Sequence, residues 1–269
     1  MCYNFNDLKG VLLKMKIDHE EYKLKIKITK SSYILLRQDM WRFGYIRGEN
    51  ELNYNGFINT LIPKMYRYRK YHNKKLMKVL QNYLGNEIDS DVIEIVNDAI
   101  YDDSDIGYFS EVMNLRISKE NMKLYDRILM ENQKNKSYYI RSLVNQYSNL
   151  KLDVRETIFF NDYYNIICEN IYKRKIIFHF DDCSMEIFPI DLRTCVITGE
   201  IYIFGVINKQ KKIYIQSFRI CEIRKINISN KIDLILKEET KDKIDKYIYD
   251  LEYLESSEKE IGDCDHGDI

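Results

Sequence analysis

The chain has 269 residues, with 42 Lys and Arg against 42 Asp and Glu, an apolar fraction of 45%, and only 10 Gly and 2 Pro. At roughly 100–200 residues per domain the length suggests two small domains, or three with a repeat. The composition excludes wholesale disorder and the collagen-like, mucin-like and Pro-rich linker classes. The zero net charge hides a basic head: residues 1–80 carry 17 Lys/Arg and 7 Asp/Glu, residues 81–110 carry 8 acids and no base, and residues 255–269 carry 6 acids and one Lys. Such an asymmetry fits nucleic acid contacts at one end, and it also fits merely solvated faces.

Near the N-terminus the apolar run is Val11-Leu12-Leu13, too short for the core of a signal peptide, and no stretch reaches the ~20 apolar residues of a membrane span. Six cysteines show neither a CxxC nor a regular spacing, which points to no zinc site and no disulfide framework. The expectation is a soluble cytoplasmic protein with reduced thiols, no metal and no cofactor.

Residues 23–29, Lys-Leu-Lys-Ile-Lys-Ile-Thr, alternate with period two, so the spacing predicts a half-buried strand with Leu24, Ile26 and Ile28 inward and Lys23, Lys25 and Lys27 outward. Thr29 then supplies an N-cap for a helix from Lys30 to about Phe43, ended by Gly44. A polar loop runs to Asn55, and a second helix starts near Gly56, with Pro63 expected to kink or shorten it. Further helices are predicted over Tyr71–Leu84 and Asp91–Ile100, and Asp102-Asp103-Ser104-Asp105 reads as a solvated loop.

The same order returns about 89 residues later. Met113, Leu115 and Ile117 face inward and Asn114 and Arg116 outward; Ser118 caps a helix over Lys119–Glu131; Ser137 caps a second helix carrying Ile140, Leu143 and Tyr147. Strand, helix, turn and helix thus occur twice, and this order resembles the ribbon-helix-helix DNA-binding family. The resemblance implies that the two strands pair as an antiparallel ribbon entering a DNA major groove, within one molecule or between two. It implies Lys23, Lys25, Lys27, Asn114 and Arg116 as groove-facing residues, with phosphate contacts at the helix starts near Asn55-Gly56 and Lys136-Ser137. A Lys-rich alternating strand also reads, more simply, as a solvated sheet edge protected from aggregation.

After Leu150 a helix is predicted over Glu156–Tyr172, followed by short strands at Ile176–Phe180, Met185–Pro189, Thr194–Thr198, Glu200–Ile207, Lys212–Ser217 and Arg224–Ile228. Closely spaced short strands suggest a small barrel. The order, with Ile201-Tyr202-Ile203 and Phe218-Arg219-Ile220-Cys221-Glu222-Ile223, resembles the WYL domain. That likeness implies an SH3-like or Sm-like barrel that senses a ligand, often nucleic acid or nucleotide. It implies a pocket of Tyr202, Arg219 and His179, with Glu222 standing where the family commonly has Arg. Proteins that join a ribbon-helix-helix head to a WYL domain include accessories of RNA-targeting CRISPR systems, and this domain order is similar to theirs. A short strand at Ile232–Leu236, a helix over Thr240–Leu254 and an acidic disordered tail from Glu255 complete the chain, and the WYL resemblance implies a dimerising role for this extension.

The predicted fold class is α+β: tandem ribbon-helix-helix units followed by a small WYL barrel. The segments are 1–72 and 112–150 for the two units, 73–111 for an acidic connector, 151–229 for the WYL domain with its preceding helix, and 230–269 for the C-terminal extension. No GxSxG, HExxH or phosphate-binding Gly-rich loop occurs and the four histidines are dispersed, so no enzymatic activity is expected. The leading expectation is a transcriptional regulator whose head binds operator DNA. The alternatives are a single-stranded RNA-binding CRISPR accessory, or a protein–protein adaptor. Homodimerisation is expected, and no membrane partner.

Overall fold

The computed structural model describes residues 22–84, 92–93, 96, 109–132, 135–209, 212–229, 242–246 and 258–263. Its first half comprises β1 (Tyr22–Thr29), α1 (Lys30–Arg42), a hairpin of β2 (Ile46–Arg47) and β3 (Glu51–Leu52), and α2 (Tyr54–Leu84). Then come β4 (Phe109–Ile117), α3 (Lys119–Asn132), α4 (Lys136–Ser148) and α5 (Leu152–Asn170). The period-two pattern works in both long strands: Ile26, Ile28, Met113, Leu115 and Ile117 are buried while the alternate side chains are exposed. β1 and β4 pair antiparallel as a separate two-stranded sheet. Of the two pairings the sequence left open, the chain uses the intramolecular one.

Local caps fix where each helix begins. The Thr29 hydroxyl accepts the Ser32 N–H at 3.2 Å, and Gly44, at φ +75°, lies just past the end of α1 in a conformation that favours glycine. At α4 the capping side chain is Asn135, which accepts the Ser137 N–H at 2.8 Å; Ser137, the predicted cap, serves elsewhere.

The two strand–helix–helix halves dock crosswise. Ser137 at the start of α4 donates its hydroxyl to the Lys25 carbonyl of β1 at 3.1 Å. At the other edge, Asn55 Oδ1 in α2 accepts the Arg116 N–H of β4 at 2.9 Å. One turn on, Asn59 donates to the Arg116 carbonyl and accepts the Ser118 N–H, both at 2.8 Å.

Pro63 neither ends nor breaks α2, which runs unbroken from Tyr54 to Leu84 and absorbs the helix predicted separately over Tyr71–Leu84. Proline has no N–H to offer the carbonyl four residues back. That carbonyl belongs to Asn59, and it accepts Asn121 Nδ2 of α3 at 2.8 Å instead. The backbone acceptor left free inside one half is thus satisfied by the other half. Asn59→Ala is expected to lower unfolding free energy by about 2 kcal/mol, because it strips partners from the Ser118 N–H, the Arg116 carbonyl and the Asn121 amide. Urea denaturation measures this, and a loss below about 0.5 kcal/mol would mean that water replaces those partners equally well.

The second half is built on one six-stranded sheet in the order β10-β8-β7-β6-β5-β9. Its members are β5 (Ile176–His179), β6 (Ser184–Thr194), β7 (Ile201–Lys209), β8 (Lys212–Arg219), β9 (Lys225–Ile228) and β10 (Glu258–Asp263). The predicted SH3-like or Sm-like WYL barrel is not formed: the sheet stays open, with β9 and β10 at opposite edges and no ladder joining them. Side chains on both faces of β7 are buried. Ile201, Ile203 and Ile207 join a core with Ile167 of α5, whereas Tyr202, Phe204 and Val206 join another with Ile244. A continuous apolar run is the mark of a strand covered on both faces.

Three strand limits also differ from expectation. β6 passes through Pro189 rather than ending there, because its register slips between Pro189 and Asp191, a bulge that accommodates a residue without an N–H. Val196–Thr198 is a turn, not a strand. Glu258–Asp263, predicted disordered, pairs with β8 as an edge strand. The strand predicted at Ile232–Leu236 and the Asp102–Asp105 loop lie outside the described residues, as do most of the helices predicted over Asp91–Ile100 and Thr240–Leu254. No helix among the described residues is long and apolar enough to cross a membrane.

A candidate nucleic-acid interface

The ribbon's inner face is held by an apolar core that draws on both halves: Ile26 and Leu115 from the strands, Leu36 and Met40 from α1, Phe57 and Leu61 from α2, Leu143 and Tyr147 from α4, and Phe159 from α5. Its outer face is thereby fixed. Lys23 lies opposite Arg116, Lys25 opposite Asn114 and Lys27 opposite Val112, and all six are exposed. The structure thus brings all five predicted groove-facing residues onto one surface. The register also sets the like charges of Lys23 and Arg116 directly opposite each other on neighbouring strands, an arrangement unfavourable in itself.

The other two residues predicted to meet nucleic acid flank this face. Lys136 Nζ is 3.2 Å from Asp126 Oδ1 and lies over the rings of Tyr125 and Tyr22, at 5.3 and 5.8 Å from their centroids. Tyr22 itself, at one end of the ribbon, is 44% exposed. The Ser137 hydroxyl is turned onto β1, where it bonds the Lys25 carbonyl.

Composition gave no hint of a further feature beside β4. A cavity of about 260 Å³ opens next to Asn114, lined among others by Arg47, Tyr33, Tyr54 and Asn55. The two tyrosine rings stack with centroids 5.9 Å apart, and their hydroxyls are 3.0 Å apart. The signal available in the sequence was the single basic residue of the β2–β3 hairpin, Arg47.

The residues predicted to share a pocket in the C-terminal half do not all meet. Tyr202 and Arg219 are cross-strand neighbours on β7 and β8. Tyr202 is a core residue whose hydroxyl is 3.4 Å from Glu200 Oε2, and burial, followed by that carboxylate, pushes its phenol up to about 12. Arg219 donates to Glu222 from Nε at 2.8 Å and also reaches Glu200. Glu222 is therefore the internal counter-ion of Arg219. His179 bonds Asn227 at 2.9 Å. It lies opposite Ser184 on β6, whereas Tyr202 lies opposite Arg193, nine residues further along that strand, about 30 Å at the usual strand rise.

A polar junction joins the halves. Asp39 of α1 is fully buried and accepts from the Tyr147 hydroxyl at 2.6 Å and from Arg155 Nε at 2.7 Å. Arg42 reaches both Asp39, at 3.3 Å, and Glu200, at 3.6 Å. Beside them Glu156 of α5 accepts the Ile201 N–H of β7 at 2.6 Å through Oε2, while its Oε1 is buried with no hydrogen-bond partner. Burial raises the Glu156 carboxyl to about 7, with Glu200 and Asp39 adding to the effect and the Ile201 N–H and Arg42 opposing it. Among the described residues no group of three His, Cys, Asp or Glu side chains is placed to hold a metal ion.

The chain matches no protein-family model and no curated protein. Among solved structures, one described as "Crystal structure of a CRISPR Cas-related protein" is similar over 84% of this chain, with a TM-score of 0.55 and 14% sequence identity. The likeness is one of fold. This chain spans 66% of that structure's length.

Proposed function

We propose that the chain is an accessory protein of a CRISPR–Cas-type defence system that binds nucleic acid, without catalysis, through the outer face of its β1–β4 ribbon. The observation that carries the binding is the register. It gathers Lys23, Lys25, Lys27 and Arg116 around Asn114 on an exposed face. The simpler reading of such lysines, protection of an open sheet edge, loses force because Asn55, Asn59 and Ser137 already occupy the two edges. The defence-system assignment is supported by the fold shared with the CRISPR Cas-related protein. Tyr22 beside Lys136 offers an aromatic ring and a cation to an unpaired base, which suits single-stranded RNA.

A second reading, an operator-binding regulator, is favoured by one feature: a two-stranded β-ribbon fits the roughly 12 Å width of a DNA major groove. Fluorescence anisotropy against single-stranded RNA, single-stranded DNA and random duplex, each at two salt concentrations, separates the two. The accessory reading expects salt-dependent binding to single strands; the regulator reading expects it on duplex. Replacing Lys23, Lys25 and Lys27 by Gln should reduce the slope of log K against log salt by about 0.7 per contact on single strands, or about 0.9 on duplex. Arg116→Ala should weaken binding further without unfolding the protein. Binding to neither, or an unchanged slope in the triple variant, rejects the ribbon as the interface and favours a protein–protein adaptor.

A further inference from the structure

A larger cavity, of about 390 Å³, lies away from the ribbon between the middle of α2 and the first half of α5. Its volume is at the small end of the roughly 300–1,000 Å³ typical of ligand pockets. Two kinds of wall meet there. α2 contributes the cations Lys64 and Arg67 and, one turn further, Tyr68, Tyr71 and His72; Ile158 of α5 belongs to the apolar side. The aromatic groups already pack against one another, with the Tyr68 and His72 rings tilted at 4.1 Å and Tyr71 edge-on to His72 at 5.5 Å. Tyr71 remains 67% exposed.

We propose that this cavity binds a single ribonucleotide, with its phosphate on Lys64 and Arg67 and its base against the Tyr68–Tyr71–His72 wall. A small inorganic anion would satisfy the cations and leave the aromatic wall unused. An apolar ligand would leave two neighbouring cations sharing the single carboxylate of Asp162. Lys64 is half-buried, and burial lowers its pKa; Asp162, which also lines the cavity, opposes that shift more than Arg67 adds to it. A carboxylate only accepts hydrogen bonds when ionised, so beside a phosphate site its natural partner is a ribose hydroxyl. The site is separate from the ribbon and does not depend on the ribbon's role. The same chemistry arises from a free nucleotide or from one residue of an RNA single strand, and the two are separable.

Titration calorimetry on the full chain with AMP, 2′-deoxy-AMP, inorganic phosphate and a hexameric oligoadenylate RNA tests this. AMP should bind saturably, and more tightly than phosphate or the deoxy form. Tyr71→Ala should weaken AMP binding at least about fivefold, the lower range for losing a stacked base. Lys64→Gln should weaken it without lowering thermal stability. The Gln variants of Lys23, Lys25 and Lys27 should bind AMP as the native chain does, so that failure of the ribbon and failure of this site give different results. Hexamer binding that Tyr71→Ala weakens would place the nucleotide within a strand, whereas AMP binding without it would mark a free nucleotide. Phosphate binding as tightly as AMP, indifference to Tyr71→Ala, or no saturable AMP binding would each overturn the proposal. Equal affinity for AMP and the deoxy form would overturn the role assigned to Asp162.

Discussion

Asp39→Ala is expected to destabilise the protein by about 3–5 kcal/mol, the usual consequence of removing one member of a buried ion pair. The carboxylate receives the Tyr147 hydroxyl and the Arg155 guanidinium, with Arg42 at its rim. Its removal leaves the Arg155 charge, on a side chain only 10% exposed, with the Leu150 carbonyl but no counter-ion. In a chain of this size each kcal/mol shifts the melting temperature by roughly 2–4 °C, so the fall should be on the order of 10 °C. Asp39→Asn should fall less, because an amide oxygen can still accept from Tyr147. The combined Asp39→Leu and Arg155→Met variant should be more stable than Asp39→Ala alone, since it removes the orphaned charge together with its partner. A double variant that proves the least stable of the three would overturn this expectation, because the network would then contribute through attraction rather than through the penalty of breaking it.

The second large effect depends on pH. The Glu156 carboxyl ionises near 4.5 ordinarily and near 7 in the folded protein. Between those values the folded chain holds a proton that the unfolded chain has released, so stability falls as pH rises through the window. Below about 4.5 both forms are protonated and the group contributes no penalty; above about 7 both are ionised and the penalty, about 3 kcal/mol, is complete. Glu156→Gln keeps an oxygen for the Ile201 N–H and cannot ionise. Native protein should lose about 2–3 kcal/mol more than the Gln variant between pH 5 and pH 8 in paired urea melts. Parallel pH profiles would show that Oε1 finds a partner when charged.

The first half of the molecule was largely written in local pattern. Alternating lysines and isoleucines marked β1, Thr29 marked the start of α1, and Asn114 and Arg116 could be assigned to the outer face because side-chain direction in a strand depends only on parity. Pro63 misled for a non-local reason, since the group that makes it tolerable, Asn121, comes from the other half and is 58 positions away. In the second half, short strands and tight turns were legible, but closure is a property of edges. Nothing in Lys212–Arg219 announces that its free edge pairs with Glu258–Asp263, about 45 residues on. The run Ile201–Ile207 did carry the decisive hint, being apolar at successive positions where one exposed face would demand alternation. The Asp39 and Glu156 junction was invisible because its members come from α1, α4, α5 and β7, and Asp39, Arg155 and Glu156 each alone look like ordinary surface charges.

The ribbon joins Lys23 to Arg116 within one chain, so its assembly is a first-order event that dilution does not reverse. A surface made by two copies of one strand would look the same after a half-turn. This one does not: three lysines run along one strand, while the other presents valine, asparagine and arginine. A polymer laid across it meets different chemistry in its two orientations, so docking has a built-in direction.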